Sequence, residues 1–165
     1  MPYRRTLIIL PVASLLLAAC GFELRRAPEL RFRSIQLIGF KPRSPLAEEL
    51  LKSINASQTT LVVESAARAQ VVLEALSDVS EKSVVASTAA GQVRELQLRS
   101  RLDFRLRTPA GKELIPITEI LLKRDMSYTE SAALAKEQEE ALLYRAMQAD
   151  IVAQVMRRLA AVQAL

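Results

Sequence analysis

Any catalytic chemistry in this chain draws on a short menu of side chains. The 165 residues include no histidine and a lone cysteine, Cys20. Ser-His-Asp and Cys-His nucleophile schemes are therefore absent, and so are the usual zinc ligand sets. A carboxylate-only enzyme is left open, and its candidates would be Glu137, Glu139 and Glu140. These acids fall in the opening turns of a long helical pattern, where consecutive carboxylates match the positive end of the helix dipole. An acid and base pair also needs an apolar pocket that separates two pKa values, and no such setting surrounds them in the sequence. The expectation is that the protein is not an enzyme.

The other residues able to act at a site are cationic. Arg99, Arg101, Arg105 and Arg107 recur at alternate positions and would line one face of a strand. There they could meet phosphates or carboxylates, or serve as a solvated face that discourages edge pairing. Lys136 stands in the first turns of the long helix, where a cation opposes the dipole. It can also pair simply with Glu139 or Glu140 at i,i+3 or i,i+4. Among contact candidates Lys136 ranks first, followed by Arg94 beside a turn at Gly91.

Cys20 has a different setting. Arg4 and Arg5 precede an apolar run from Leu7 to Leu17 that is broken by Pro11 and Ser14, the pattern of a secretory leader. As a helix this run would reach about 16 Å, roughly half of a bilayer's hydrocarbon core. Leu17-Ala18-Ala19-Cys20-Gly21 then resembles a bacterial lipobox, whose cysteine carries a diacylglyceryl group and, after cleavage, an N-linked acyl chain. The expectation is a lipoprotein-type signal peptide over 1–19, a lipidated tether over 20–30, and one domain over 31–165. Several acyl chains make a durable anchor where one would bind reversibly. No other cofactor, no metal and no nucleic-acid partner is expected. Gly21 after the cysteine, in place of Asp, resembles the sorting pattern for an outer-membrane, periplasm-facing destination.

Length allows one ordinary domain after the leader. The formal charge of +5 is a mild bias towards anionic partners. Alternation predicts a first strand over Arg31–Ile38. Ser44-Pro45 then opens a helix to about Ile54 with an N-cap and a proline at its first position. A short β-branched strand at Thr59–Val63 completes a parallel crossover, and a helical turn at Ala66–Ala69 follows. Gln70–Ser87 reads as a long strand with an irregular middle, and Leu96–Arg107 as the clearest one, its apolar positions interrupted by Ser100. At about 3.3 Å per residue the latter would reach about 40 Å. Turn residues at Ala89-Ala90-Gly91 and Pro109-Ala110-Gly111-Lys112 make an antiparallel meander with a strand at Ile117–Tyr128. From Ser131 to Val162 the period becomes helical, with Leu134, Ala141, Leu142, Val152, Val155, Leu159 and Val162 as the expected apolar stripe. The fold class is α+β: a two-layer sandwich of a mixed, mostly antiparallel four- to five-stranded sheet with two helices on one face.

Cys20-Gly21-Phe22-Glu23-Leu24-Arg25 resembles the mature start of the LptE family of lipopolysaccharide-assembly lipoproteins. Arg124-Asp125-Met126-Ser127-Tyr128 at a strand end is similar to the same family. So is Ala133-Leu134-Ala135-Lys136 with the acidic Glu137 to Glu140. Arg26 departs from the Gly or Asp often found after Leu-Arg. The resemblance implies an outer-membrane lipoprotein that plugs the LptD β-barrel, assists its assembly and contributes to lipopolysaccharide delivery to the outer leaflet. LptD, lipopolysaccharide and the membrane are the partners so implied. The competing readings are a free periplasm-facing lipoprotein that binds a lipid or glycolipid through the basic sheet face, and a carboxylate-dependent hydrolase of envelope polymers.

Overall fold

A computed structural model describes residues 28–163. The leader, Cys20 and the tether up to residue 27 lie outside the described residues. Five strands and two α-helices follow in chain order: β1 (Ser34–Ile38), α1 (Pro45–Ala56), β2 (Leu61–Val62), β3 (Val71–Ser87), β4 (Val93–Arg107), β5 (Glu113–Ser127) and α2 (Ala133–Ala160). Single 3₁₀ turns occupy Ala66–Arg68 and Glu130–Ala132. The sheet order is β2-β1-β3-β4-β5. β1 pairs parallel with both β2 and β3, and the β3-β4-β5 meander is antiparallel. This is the α+β architecture expected from the sequence.

Alternation decides which sheet face is covered. In β4, Leu96, Leu98, Ser100, Leu102, Phe104 and Leu106 are all buried, while the residues between them are half-buried or exposed. Across the strands, Leu73 and Ala75 of β3 and Ile120 of β5 join this face, and Leu46, Leu50 and Ile54 of α1 close over it with Ile151, Val155 and Leu159 of α2. A second, smaller cluster of Leu96, Leu98, Met126 and Met147 lies under the first half of α2. Leu30, read as the last tether residue, belongs to the main core.

Local chemistry fixes the connections. Ser44 caps α1 by accepting from the Ala47 N–H at 3.1 Å, and its own hydroxyl donates to Asp78 of β3 at 2.5 Å. The two hairpin turns share one design: Thr88 and Thr108 each close a loop through a backbone pair of 2.8 and 2.9 Å, with Gly91 and Gly111 at positive φ. This is the three-residue hairpin with a left-handed glycine. Gly39 has φ 81° and presses its Cα against Ala75, where a Cβ would overlap the Ala75 carbonyl. Register shifts fall between Ala75 and Ser77 and between Val84 and Ser87, on either side of the polar stretch where an irregularity was expected.

Three expectations are corrected. β5 begins at Glu113 rather than Ile117, running through Pro116; an edge strand tolerates proline because that side needs no donor. β4 likewise starts at Val93 rather than Leu96. In α2, Leu134 and Leu142 are 72% and 60% exposed, and Ala141 is exposed as well. The helix opens at Ala133 and turns Leu143, Tyr144 and Met147 towards the sheet instead. The buried stripe winds around the helix, from Leu143, Tyr144 and Met147 against the smaller cluster to Val152, Val155 and Leu159 against the main core, so Leu134 and Leu142 fall outside the covered face.

Candidate functional site

The sheet face opposite the helices is covered by no element among the described residues, and its chemistry comes from three aligned strands. Down β4 it presents Glu95, Gln97, Arg99, Arg101, Asp103, Arg105 and Arg107. Glu74, Ser77, Val79 and Glu81 of β3 flank them on one side, and Glu119, Leu121, Lys123 and Asp125 of β5 on the other.

The four predicted arginines do not form one uniform stripe. Glu74 of β3 gathers two of them: Arg105 approaches its Oε2 with Nη2 at 2.8 Å and Nε at 2.9 Å, and Arg107 donates from Nε at 3.2 Å. Hydrogen bonds from Arg105, then Arg107, hold the Glu74 carboxyl below its usual range. Arg105 and Arg107 are thus engaged within the sheet. Arg99 is steered by a relay in which its Nε donates to Gln97 Oε1 at 2.8 Å and the Gln97 amide donates to Asp125 at 2.9 Å. Arg101 lies 3.9 Å from Asp103 and 4.0 Å from Glu119, at the outer limit of ion pairing.

Lys136 and Arg94 come together at one end of the molecule. The Lys136 ammonium donates to Ser127 Oγ at 3.1 Å and to Glu139 at 2.8 Å, so the i,i+3 pair forms. Glu140, the other carboxylate in reach by spacing, takes Lys82 of β3 at 2.9 Å. Lys136 thereby straps the start of α2 to the end of β5. Arg94 precedes Glu95, which pairs with Ser127, and its carbonyl accepts from the Tyr128 N–H at 2.8 Å. Together with Gln92, Val93, Thr129, Glu130 and Ser131 it lines an open, shallow depression of about 300 Å³. Cys20, the predicted lipidation site, lies outside the described residues.

Sequence reasoning missed Glu74, the facing carboxylates Asp103 and Glu119, and a strap in which the Tyr144 hydroxyl donates to the Glu81 carbonyl at 2.8 Å beside the Lys82–Glu140 pair. Each depends on cross-strand register, which is set by bulges that leave no clear mark in composition. Glu137 lies beside Glu140 on an open surface with Lys82 and Tyr144. With Glu140 bound to Lys82 and Glu139 to Lys136, these acids have the solvated, cation-paired character of a structural run. Among the described residues, no group of three or more His, Cys, Asp or Glu side chains is arranged to hold a metal. None of the described helices is long and apolar enough to cross a membrane.

Known proteins resemble this chain in both sequence and fold. The chain is 24% identical over 161 residues to the LPS-assembly lipoprotein LptE of Pectobacterium atrosepticum, covering 96% of this chain and 86% of the relative. It is 25% identical over 166 residues to the protein of the same name from Yersinia enterocolitica, covering 99% and 79%. Among solved structures, lipoprotein B from Nitrosomonas europaea superposes with a TM-score of 0.71 at 30% identity, covering 86% of this chain and 91% of that one. Rare lipoprotein B from Shewanella oneidensis shares the fold with a TM-score of 0.65 at 21% identity over 78% and 94% of the two chains. The family model described as LptE, lipopolysaccharide-assembly, matches residues 32–159, from β1's approach to the end of α2. On that match, which spans the whole sheet and both helices, the chain belongs to the LptE family of lipopolysaccharide assembly.

Proposed function

We propose that the protein is an outer-membrane lipoprotein, anchored by lipid on Cys20, that plugs and assists assembly of the LptD β-barrel and contributes to lipopolysaccharide delivery to the outer leaflet. Family membership supplies the process, and one structural observation supports the plug: the long β3-β4-β5 face is left uncovered yet is polar and largely charge-paired. A barrel lumen is itself polar. A domain that must fill it needs a rigid body with a hydrophilic exterior, and here both helices sit on one side while the other presents paired ions. The protein's part is binding and folding assistance rather than catalysis.

A free module that binds glycolipid through a basic face is disfavoured by the same geometry, because Arg105 and Arg107 are already committed to Glu74. The proposal is tested with a photoreactive residue placed at Gln92 in the β3-β4 turn or at Lys136, in cells making the full chain. Crosslinks to the barrel or to lipopolysaccharide are expected. Crosslinks to neither, from either position, would contradict it. In parallel, Cys20→Ala should abolish acyl labelling, and a variant that is still labelled would remove the anchor from the account.

A further inference from the structure

The end of the domain at which the tether enters collects cations that the fold leaves unengaged. The Arg33 N–H donates to Gln70 at 2.6 Å, which sets Arg31 and Arg33 beside the start of β3, and Arg68 stands just before that strand. The β4-β5 turn with Lys112 lies at the same end, because Val72 pairs with Arg107 and Arg107 with Glu113. α2 runs back from the far end, and its last turn brings Arg157 here, where Leu159 and Val162 pack in the main core with Leu106, Leu114 and Ile115. All five cations are exposed, and none makes an ion pair among the described residues. Arg157 suits the negative end of the helix dipole; the other four have no such local role. The acids at this end are Glu29 and Glu113. Arg158 is not part of the group, since it lies over the Phe104 ring at 5.9 Å. The opposite end is balanced, with Glu95, Glu130 and Glu139 beside Arg94 and Lys136. Apolar groups stand among the unengaged cations. Leu61 is 70% exposed with its N–H on the Arg33 carbonyl at 2.9 Å, and Pro109 and Ala110 form the exposed tip beside Lys112.

We propose that this end is a membrane-docking surface, used by the chain before it meets a barrel. Arg31, Arg33, Arg68, Lys112 and Arg157 take the phosphates of anionic phospholipids, while Leu61 and the Pro109-Ala110 tip enter the headgroup layer. The inference rests on the lipidation of Cys20 proposed above and not on the plug. From Cys20 to Pro28 the backbone spans at most about 28 Å, so the acyl chains keep this end, and no other, within reach of the leaflet that holds them. A tether alone leaves the domain free to turn beneath the bilayer. An acyl anchor joined to a basic patch is a two-signal attachment, and each cation near an anionic surface strengthens it about fivefold. The docked pose aims the Arg94 and Lys136 end away from the bilayer.

The test uses Ala110→Trp, which puts a single indole at the tip because the chain has no tryptophan. The full lipidated chain is placed, without a barrel, on phosphatidylcholine vesicles with or without phosphatidylglycerol, each carrying a headgroup-nitroxide phospholipid. Quenching of the indole should be roughly twofold or more deeper with phosphatidylglycerol, and the excess should vanish in high salt. Arg33→Gln, Arg68→Gln and Lys112→Gln together should also remove the excess at an unchanged melting temperature; the salt response of the Ala110→Trp chain reads the same contact without them. Equal quenching on both vesicles by a chain that both retain would overturn the inference and leave the anchor standing. So would an excess that survives high salt, or one that the folded triple variant keeps. A chain that washes off neutral vesicles but is held and quenched on anionic ones would sink the anchor and keep this surface.

Discussion

At the scale of single residues, Glu74 decides how the basic stripe behaves. The alternation of Arg99, Arg101, Arg105 and Arg107 was legible because a strand's period of two needs no partner to be seen. What each arginine touches was not legible, because Glu74 lies more than thirty positions away and meets Arg105 only through the β3-β4 register. Its carboxyl is held below the usual range by Arg105 first and Arg107 second. A depressed folded pKa contributes stability that is present above the ordinary carboxylate value and is lost as pH falls through the folded one. Glu74→Gln should therefore destabilise the protein at pH 7 by about 1 kcal/mol, the pair being partly exposed. The difference from wild type should shrink towards zero in acid, as read by urea unfolding at several pH values. A gap that persists undiminished in acid would mean that the ion triad is not its source.

At the scale of elements, the strands and helices were legible wherever local periodicity carried the signal: the α1 cap at Ser44, the β4 alternation and the glycine turns all follow from the chain itself. The phase of α2 was not. Its second half is fixed by the main core, whereas its first half is held by the smaller apolar cluster together with polar contacts to β3, the Lys82–Glu140 pair and the Tyr144–Glu81 hydrogen bond. Burial raises the pKa of the Tyr144 hydroxyl, and the hydrogen bond to Glu140 raises that of Lys82. Both shifts favour the protonated forms in the fold. Their stabilisation is complete below the ordinary values of 10.0 and 10.5 and is lost as pH rises through the folded ones. An absorbance titration should therefore show a late tyrosinate component that Tyr144→Phe removes. If the component lost in Tyr144→Phe titrates together with the remaining tyrosines, the Tyr144 hydroxyl lies in free solvent and the strap is undone.

At the scale of the whole molecule, the length of the sheet separates two ends of the domain. The chain enters at the end where the Leu30 N–H meets Thr59 and Arg33 meets Gln70, beside the start of β3 and the end of β4. Arg94 and Lys136 sit at the opposite end, a distance set by β3 of about 50 Å. From Cys20 to Pro28 the backbone can span at most about 28 Å, so a lipid on Cys20 would keep the entry end near the bilayer. Contacts made elsewhere on the domain then belong to protein surfaces rather than to the lipid. The family resemblance was readable in the motifs around Cys20, Arg124 and Lys136; the uncovered charged face was not, since it exists only after three strands align. The proposed place of this body inside a barrel is tested most directly by the stoichiometry of the full chain purified from solubilised outer membranes. One barrel protein of LptD type per chain is the expected result, and recovery of the chain only as a free monomer would contradict it.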